Sequence, residues 1–391
     1  MFESLKVLEL ATVLAGPAVG QFFAELGASV IKVENLLTQG DVTRTWKIPG
    51  ETTDDRSAYF TSVNWGKKSI LVDLRQKRGR DIVQELARMS DVVISSYKPG
   101  DDNKLGVDYE TLKALNPRIV YGRITGYGAQ NDRVGYDAVL QAEAGFMFMN
   151  GEAGGRSLKM PVALIDILAA HHLKEGLLLA LLNLERTGMG SLVEVSLLDA
   201  ALASLANQGT NWLVGGKIPQ KRGSSHPNIA PYGDVFATIE GDEILLAVGT
   251  DRQFSTLCEV LGIPEIAADP RYHTNIERVH NRTSLHAMLS DAVRRQQKLS
   301  LMEALHAARI PAGVVQNLAQ VFEMPEARRL MLESAWLRGV RTYVGPTFSH
   351  HEAGHLSPPP GAGQHSSEIL EQFLNFDVQT IADLLQSGVV R

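Results

Sequence analysis

Cysteine is almost absent from this sequence. Cys258 is the single cysteine among 391 residues, so neither an internal disulfide nor a cysteine-based zinc site can form. A chain without disulfides is typical of a reducing compartment, and we therefore predict a cytoplasmic location. Cys258 stands inside a helical pattern, QFSTLCEVLG, which favours a buried, unreactive thiol over a catalytic nucleophile.

Long apolar runs are also missing. No uninterrupted apolar stretch approaches the ~18 residues that a membrane span requires. The segment MFESLKVLEL does not combine a basic region with a following apolar one. We therefore expect a protein that is neither embedded in a membrane nor exported.

Positive charge is scarce as well. The chain has 38 Lys and Arg against 44 Asp and Glu, a net charge of −6, and no long basic run. Because nucleic-acid phosphates are bound by clustered Lys and Arg, this distribution argues against nucleic-acid binding as the main role. With 44% apolar and 21% charged residues the composition is globular, and the length favours two domains.

Several motifs of known chemistry are lacking. The first turn, LATVLAGPAVG, has no G-x-G-x-x-G, which disfavours a nicotinamide or flavin site although Glu34 stands where a ribose-binding acid would. The histidines at 171–172 and in SHHEAGH (349–355) form neither HExxH nor an acid cluster, so we predict no metal site. Without a G-x-S-x-G elbow, a serine nucleophile is disfavoured too.

What the sequence does contain is an alternation of strand and helix patterns. An apolar strand at 5–11, a helix over 16–28 and a second strand at 29–34 form a βαβ unit, whose strands should be parallel. The pattern continues through residue 206, so we predict an α/β fold. Its further elements are strands at 69–74, 91–96 and 118–126, helices at 76–89 and 109–115, a long apolar helix from Asp166 to Arg186, and a strand leading into a helix over 191–206.

The composition changes after about residue 215. A polar, turn-rich segment leads into GDVFATIEGDEILLAVG (233–249), whose alternation predicts a hairpin. Helical patterns follow, so we predict a smaller mixed α/β domain over 225–325.

One acid stands near the start of the long apolar helix. Asp166 suits a helix N-cap, which is the usual role of an Asp in this position. A cap position also suits a reactive carboxylate, because the helix dipole and the free N–H groups favour the charged form. Such a carboxylate can attack an acyl carbonyl directly. The residue alone leaves both roles open.

A set of segments, taken in order and spacing, resembles one known family across nearly the whole chain. That family is the family III CoA-transferases, of the formyl-CoA transferase and CaiB-BaiF type. The segments are LATVLAGPAVGQFFAELGASVIKVE (10–34), NWGKKSILVDL (64–74), SSYKPG (95–100), LNPRIVYGRITGYG (115–128), Asp166, GSLVEVSLLDA (190–200), HPNIAPYG (226–233) and GQHSSEIL (363–370).

The resemblance implies an architecture that composition does not show. A Rossmann-like large domain would be built from both chain ends, 1–215 and 330–391, with the small domain inserted between them. Two protomers would be threaded through each other as an interlocked homodimer. The resemblance also implies that CoA lies on the large domain with its thioester at Asp166, in the role of nucleophile.

CoA-contacting positions also follow from the resemblance. Arg75 and Lys104 would pair with CoA phosphates, the backbone near Ala15 would approach the pantetheine or acyl end, and Tyr97 would offer a flat face to adenine. Alternatively, Arg75 and Lys104 are ordinary surface charges and Tyr97 is an aromatic side chain that packs a loop. The full set is Val13, Leu14, Ala15, Val72, Arg75, Ser96, Tyr97, Lys104 and, as the nearest base to a further phosphate-binding lysine, Arg133.

Departures from the formyl-CoA branch bear on the acyl group. This chain has Leu14 in place of a glutamine and Asn35 in place of an arginine, and it lacks a long glycine-rich loop. HPNIAPYG resembles branches that use larger or dicarboxylic acyl groups. His226, Asn228 and Tyr232 are therefore substrate-side candidates, although HPN could equally be a turn fixed by its proline.

Two other functions are alternatives for a protein that resembles this family. In 2-methylacyl-CoA racemases of this fold a histidine acts as a base where this chain has Tyr136, and a tyrosine is a poor base at neutral pH. Tyr136 is instead a further substrate-side candidate. A non-catalytic CoA-binding protein would be expected to lose the acid, yet Asp166 is present. We therefore predict transfer of CoA from an acyl-CoA, with succinyl-CoA as a possible donor, to a small carboxylic acid. CoA would act as substrate, without a tightly bound cofactor.

Overall fold

The computed structural model describes residues 2–344 and 356–391. The histidine-containing stretch 349–355, and with it part of the predicted segment 330–391, lies outside the described residues.

The chain alternates strands and helices as far as residue 206, as the sequence predicts. The strands are β1 (Lys6–Leu10), β2 (Ser29–Asn35), β3 (Lys67–Val72), β4 (Val92–Ser95), β5 (Val120–Thr125), β6 (Ser191–Ser196), β7 (Tyr232–Ala237), β8 (Glu243–Ala247), β9 (Ala312–Val314), β10 (Met331–Ser334) and β11 (Leu337–Val340). The helices are α1 (Ala15–Glu25), α2 (Ala58–Thr61), α3 (Lys77–Arg88), α4 (Asp101–Leu105), α5 (Tyr109–Leu115), α6 (Asp137–Glu143), α7 (Phe146–Met149), α8 (Leu164–Thr187), α9 (Leu197–Ala203), α10 (Ala206–Leu213), α11 (Asp251–Val260), α12 (Pro264–Ala268), α13 (Asn275–His280), α14 (Arg282–Val293), α15 (Lys298–Ala307), α16 (Leu318–Glu323), α17 (Pro325–Arg328), α18 (Ser366–Gln372) and α19 (Val378–Gln386), with 3-10 turns at Leu36–Thr38 and Val42–Thr45.

The chain divides into two compact units. The first comprises Met1–Gly145, Met160–Gly215 and Arg329–Arg391, and the second comprises Phe146–Lys159 and Gly216–Arg328. The sequence boundaries left 146–159 in the large domain. The structure groups it with the second unit, where the Gly223 amide donates to the carbonyl of Gly151 at 2.9 Å.

A six-stranded sheet forms the centre of the first unit. Its order is β3-β2-β1-β4-β5-β6, and every neighbouring pair is parallel. The predicted α/β class is therefore confirmed. Leu8 pairs with Ile31 on one side and with Val93 on the other, and all three side chains are buried. Strands covered on both faces need such continuous apolar runs.

Helices cover both faces of this sheet. One face joins a core cluster that includes Tyr121 of β5 and the apolar sides of α3, α18 and α19. Gly122, the next residue of β5, lies against Leu173 and Leu177 of α8. Because successive strand residues point to opposite faces, α8 packs on the other side of the sheet.

The outer edge of the sheet is paired by the C-terminal residues. Val390 forms an antiparallel bridge with Val72, and the Asp73 amide donates to the carbonyl of Val389 at 2.9 Å. The Arg391 amide donates to the carbonyl of Leu71 at 3.2 Å. These contacts supply partners to the end of β3, where Val72 is predicted to bind CoA, and to the residue that follows it.

Helix α8 is the long apolar helix that the sequence predicts. It begins two residues before Asp166 and ends at Gly188, whose φ of 72° is the left-handed conformation of a glycine C-cap. Within the described ranges, neither α8 nor another helix has both the length and the apolarity that a membrane crossing needs.

The second unit contains an antiparallel sheet in the order β7-β8-β9, so the predicted hairpin is confirmed. Phe236, Leu246 and Phe254 belong to its apolar core. Cys258 lies in the same core, as expected, and burial raises the pKa of its thiol to about 12.

Candidate active site

The sheet of the first unit reverses its winding between β1 and β4. The chain leaves β1 towards β2 on one side and leaves β4 towards β5 on the other, although β1 and β4 are neighbours. In open parallel sheets such a reversal opens a crevice at the carboxyl ends of the strands, where ligands bind. The two loops meet there, since the Thr12 amide donates to Oγ of Ser96 at 3.0 Å.

Two cavities lie along this edge of the sheet. The β2–β3 cavity has a volume of about 370 Å³ and the Asp166 cavity one of about 250 Å³. Thr12, Ser96 and Tyr97 line both, so the two adjoin. The β2–β3 cavity is also lined by Val33, Glu34, Asn35, Val42, Val72, Asp73 and Arg75. The Asp166 cavity is also lined by Val13, Leu14, Ala15, Gly16, Lys98, Arg133, Tyr136 and Asp166.

Four of the predicted CoA-binding residues line the β2–β3 cavity: Val72, Arg75, Ser96 and Tyr97. The Arg75 side chain is 67% exposed, and its Nε lies 3.2 Å from Oδ1 of Asp73. Burial raises the pKa of Tyr97 to about 12, so its ring is neutral. The cavity therefore combines a buried apolar wall with an accessible guanidinium.

The other two predicted cations lie elsewhere. Lys104 is not among the residues that line either cavity; its side chain is 77% exposed and its Nζ binds Asp101 at 2.8 Å. Arg133 lines the Asp166 cavity, but its guanidinium binds Glu143 at 2.6 Å. Each cation would have to leave or share its carboxylate in order to bind a phosphate.

The turn from β1 to α1 forms one wall of the Asp166 cavity. Leu14 occupies the N-cap of α1, and an apolar side chain cannot cap the helix. Within the described residues, the amides of Leu14, Ala15 and Gly16 have no acceptor. Val13 has φ of 71°, a left-handed conformation that costs a non-glycine residue on the order of 1–3 kcal/mol. The wall thus presents free N–H groups from a strained turn.

Asp166 is not the cap of α8. Ala163 occupies the N-cap position and makes no side-chain hydrogen bond, while Asp166 is the third residue of the helix. The capping interpretation is therefore wrong. The Asp166 residue is only 8% exposed, and no residue in the described ranges donates a hydrogen bond or forms an ion pair to its carboxylate.

Asp137 caps α8 instead. Its Oδ1 accepts a hydrogen bond from the Ile165 amide at 2.8 Å, and its Oδ2 accepts one from Nε2 of Gln141 at 2.8 Å. A carboxylate from α6 thus satisfies the first turn of α8. Because Asp137 takes the capping role, Asp166 can lie in the cavity wall with no hydrogen bond to its carboxylate oxygens from the described residues.

The charge of Asp166 is disfavoured rather than stabilised. Burial, together with the nearby charge of Asp137, raises the pKa of Asp166 from 3.8 to about 7. From the sequence, the helix dipole and the free N–H groups were expected to favour the ionised form of Asp166. Desolvation of the buried carboxylate outweighs them here. A perturbed, unpaired acid in a cavity is a strong candidate for chemistry.

Two tyrosines lie near this acid. Tyr136 lines the Asp166 cavity and is 56% exposed. Burial and the charge of Asp166 raise the pKa of Tyr59 to about 12, so Tyr59 keeps its proton. Neither Tyr59 nor Asp137 was predicted from the sequence, because their proximity to Asp166 depends on packing between separate segments of the chain.

The other substrate-side candidates belong to the second unit. Nδ1 of His226 accepts a hydrogen bond from the Asn228 amide at 3.1 Å, and the His226 and Tyr232 rings meet edge to face at 5.3 Å. The Arg282 guanidinium donates to the carbonyl of His226 at 2.6 Å. These contacts hold His226, Asn228 and Tyr232 together within the second unit.

Comparisons with known proteins identify the family of this chain. The family described as CoA-transferase family III matches residues 2–366. Succinate–glutarate CoA-transferase of Agrobacterium fabrum is 38% identical over 384 residues, 95% of each chain. Human succinyl-CoA:glutarate CoA-transferase is 35% identical over 396 residues, 99% of this chain and 89% of the relative.

Among solved structures, a CAIB/BAIF family protein from Brucella suis superposes with a TM-score of 0.84 and 38% identity, over 95% of this chain and 98% of that one. The predicted family and the predicted enzyme class are confirmed. This chain belongs to CoA-transferase family III and is a CoA-transferase.

Proposed function

We propose that this enzyme moves CoA from succinyl-CoA to a second dicarboxylic acid, with glutarate as the first candidate. Relatives named for succinate and glutarate align along nearly the whole chain, and another, from Haloarcula hispanica, is a succinyl-CoA:mesaconate CoA-transferase. Lys98 lines the Asp166 cavity, as does Arg133, which would first have to leave or share Glu143. The second carboxylate of a dicarboxylic acyl group would pair with such a cation.

The observation that carries the mechanism is the unpaired, buried carboxylate of Asp166 in the same cavity as the free amides of Leu14 and Ala15. In its ionised form, Asp166 attacks the thioester carbonyl through one oxygen. The carbonyl oxygen takes up negative charge, which the turn amides stabilise. The carbon–sulfur bond then breaks, leaving CoA thiolate and a mixed anhydride on Asp166.

The remaining steps return CoA to the aspartyl group and then run the same chemistry in reverse with the acceptor acid. CoA thiolate attacks the aspartyl carbonyl of the anhydride and releases the donor acid, which leaves an aspartyl-CoA thioester. The acceptor carboxylate attacks that thioester to form a second anhydride. The released thiolate then attacks the acceptor carbonyl, giving the new acyl-CoA and free Asp166. Each step exchanges one acyl bond for another, so no electrons leave or enter.

Burial suits Asp166 for this work. A carboxylate with few hydrogen bonds is a better nucleophile than a solvated one, because no solvent shell has to be removed. The pKa near 7 leaves a substantial ionised fraction at neutral pH. A capping Asp would have its oxygens occupied by amide hydrogens, and Asp137 takes that role instead.

We place CoA across both cavities. The nucleotide end would lie in the β2–β3 cavity beside Val72, Arg75 and Tyr97, and the thioester would reach Asp166 past Ser96. Lys104 would bind a phosphate after leaving Asp101. CoA is then a substrate, and the reaction needs no tightly bound cofactor. Tyr136, His226, Asn228 and Tyr232 remain candidates for contact with the acyl group or the acceptor.

The interlocked homodimer is also a proposal. It is supported by the exposed apolar side chains on α8 and at the C-terminal end of α10, where Leu179 is 68%, Leu213 79% and Val214 87% exposed. Large exposed apolar groups mark surfaces that bind other chains. A second copy of this chain is the partner that the resemblance implies.

The acid specificity can be tested with a panel of acceptors. With succinyl-CoA as donor, glutarate and other dicarboxylic acids should form new thioesters with kcat/KM at least about tenfold above butyrate, since a second carboxylate gains a charge-assisted contact. Mass spectrometry of the thioesters measures this, with Asp166→Asn as the inactive control. A preference for butyrate would contradict the acid assignment. Exchange of the α-proton of a 2-methylacyl-CoA in heavy water without transfer would indicate the racemase.

The CoA placement is tested by removing one cation. Arg75→Ala should weaken the binding of CoA by at least about fivefold more than the binding of dephospho-CoA. A lost phosphate contact matters only when the ligand carries that phosphate. Lys104→Ala is expected to show the same preference. Calorimetry measures both affinities. Lys77→Ala is the control, since Lys77 is 80% exposed and pairs with Asp81. An equal loss for both ligands would rule out the phosphate role.

Sedimentation equilibrium tests the dimer. Threaded chains cannot separate without unfolding, so the protein should remain a dimer at the lowest measurable concentration, and dissociation should coincide with loss of secondary structure in urea. A folded monomer would show that the chains are not interlocked.

A further inference from the structure

Four buried charges lie beneath the turn from β1 to α1. Glu9 accepts hydrogen bonds from Nζ of Lys32 at 2.9 Å and from Nζ of Lys67 at 2.7 Å, and Lys32 lies 3.0 Å from Oδ2 of Asp41. All four residues are at most 2% exposed. Gly20 leaves room for them, because a Cβ there would come within 1.8 Å of Oε2 of Glu9. The two positive and two negative charges balance.

The two lysines also hold the backbone on either side of the turn. Nζ of Lys32 donates to the carbonyl of Ala11 at 2.7 Å, at the end of β1. Nζ of Lys67 donates to the carbonyl of Pro17 at 2.8 Å, in the first turn of α1. Each contact also satisfies one of the three N–H donors of a buried ammonium group.

Asp41, the second acid of the cluster, contacts Val13, which lies between Ala11 and Pro17 in the chain. The Val13 amide donates to both oxygens of Asp41, at 3.4 and 3.3 Å. Val13 is the residue at φ of 71°. A β-branched side chain disfavours that conformation, and nucleotide-binding turns of this type ordinarily have glycine there. The contact with Asp41 therefore acts where the backbone most needs support.

Asp41 is itself held in place as an anion. Oδ1 accepts hydrogen bonds from the Thr43 amide at 3.0 Å and from Oγ1 of Thr43 at 2.8 Å. Burial opposes ionisation, but Lys32 and the bonds from Thr43 lower the pKa of Asp41 below its ordinary value. Thr43 thus holds Oδ1 and Lys32 holds Oδ2, while the Val13 amide contacts both oxygens.

We propose that Asp41 is a positioning residue for acyl transfer. Together with Lys32 it holds Val13 in the left-handed conformation, and this conformation sets the direction of the Leu14 and Ala15 amides in the wall of the Asp166 cavity. Asp41 itself lines neither cavity. Its effect on the reaction passes through the backbone of Val13.

This inference rests on the proposed use of the turn amides in stabilising the oxyanion. Misdirected amides would raise the barrier to acyl transfer more than they would weaken CoA, because charge develops on the carbonyl oxygen only during reaction. The signature of a positioning role is therefore a fall in kcat that depends on the residue at position 13.

A double-mutant cycle measures that dependence. Asp41→Asn should lower kcat at least about tenfold, since small displacements of catalytic groups cost this much. In the Val13→Gly background the same substitution should lower kcat less than about threefold, because glycine adopts the left-handed conformation without support. Rates are expressed per CoA-binding site, so unfolded protein does not enter them.

The control is another buried acid of the same unit. Asp102 is 2% exposed and lies 3.1 Å from NH2 of Arg123, and it makes no contact with the turn. The factor by which Asp102→Asn changes kcat should be the same in both backgrounds. An equal fractional loss from Asp41→Asn in both backgrounds would overturn the inference. A variant that only melts earlier, with native kcat, would overturn it as well.

A second substitution covers the case in which Asp41→Asn fails to fold. Asp41→Glu keeps the charge opposite Lys32 but moves the carboxylate relative to Val13, so kcat should fall and the loss should again shrink in the Val13→Gly background. Native kcat for this variant would contradict the proposal. Native enzyme that turns over without an acyl adduct on Asp166 would refute the anhydride mechanism, and the cycle in kcat would still decide the role of Asp41.

Discussion

The reversal of winding between β1 and β4 is the constraint on which the candidate site depends. Parallel strands deliver their following loops to one edge, and at this reversal the loops diverge instead of covering each other. Thr12 and Ser96 consequently approach from neighbouring strands that are far apart in sequence. The two cavities adjoin along this edge, so one extended ligand can place a nucleotide in one and a thioester in the other.

Two acids near the start of α8 have different roles: Asp137 caps the helix, and Asp166 is the proposed nucleophile. Asp137 satisfies the Ile165 amide at the start of α8, and Asp166 is left buried with no partner among the described residues. Burying an unpaired carboxylate destabilises the fold, and native proteins retain such groups chiefly at functional sites. The strained Val13 turn lines the same cavity, with amides that have no acceptor among the described residues. Both features cost stability, and both belong to the cavity in which acyl transfer is proposed.

The sequence predicted what depends on local pattern or on an ordered set of segments. The period of the apolar residues gave the βαβ order and the long helix, and the resemblance singled out Asp166. Local pattern could not show that Asp137, in another helix, caps α8, because that bond joins residues 28 positions apart. Local pattern also does not predict the left-handed conformation of Val13, because this conformation depends on buried charges from β1, β2 and the Asp41 turn. Tyr59 was missed for the same reason.

The most direct test of the central claim is to identify the residue that becomes acylated. Native enzyme is mixed with succinyl-CoA without acceptor and quenched with hydroxylamine, and the modified peptide is identified by mass spectrometry. The account predicts a hydroxamate on Asp166, whose rate of formation at low succinyl-CoA rises with pH through about 7 as the acid ionises. Asp166→Asn should bind CoA and give no adduct. An adduct on another residue, or transfer by Asp166→Asn at near the native rate, would contradict the account.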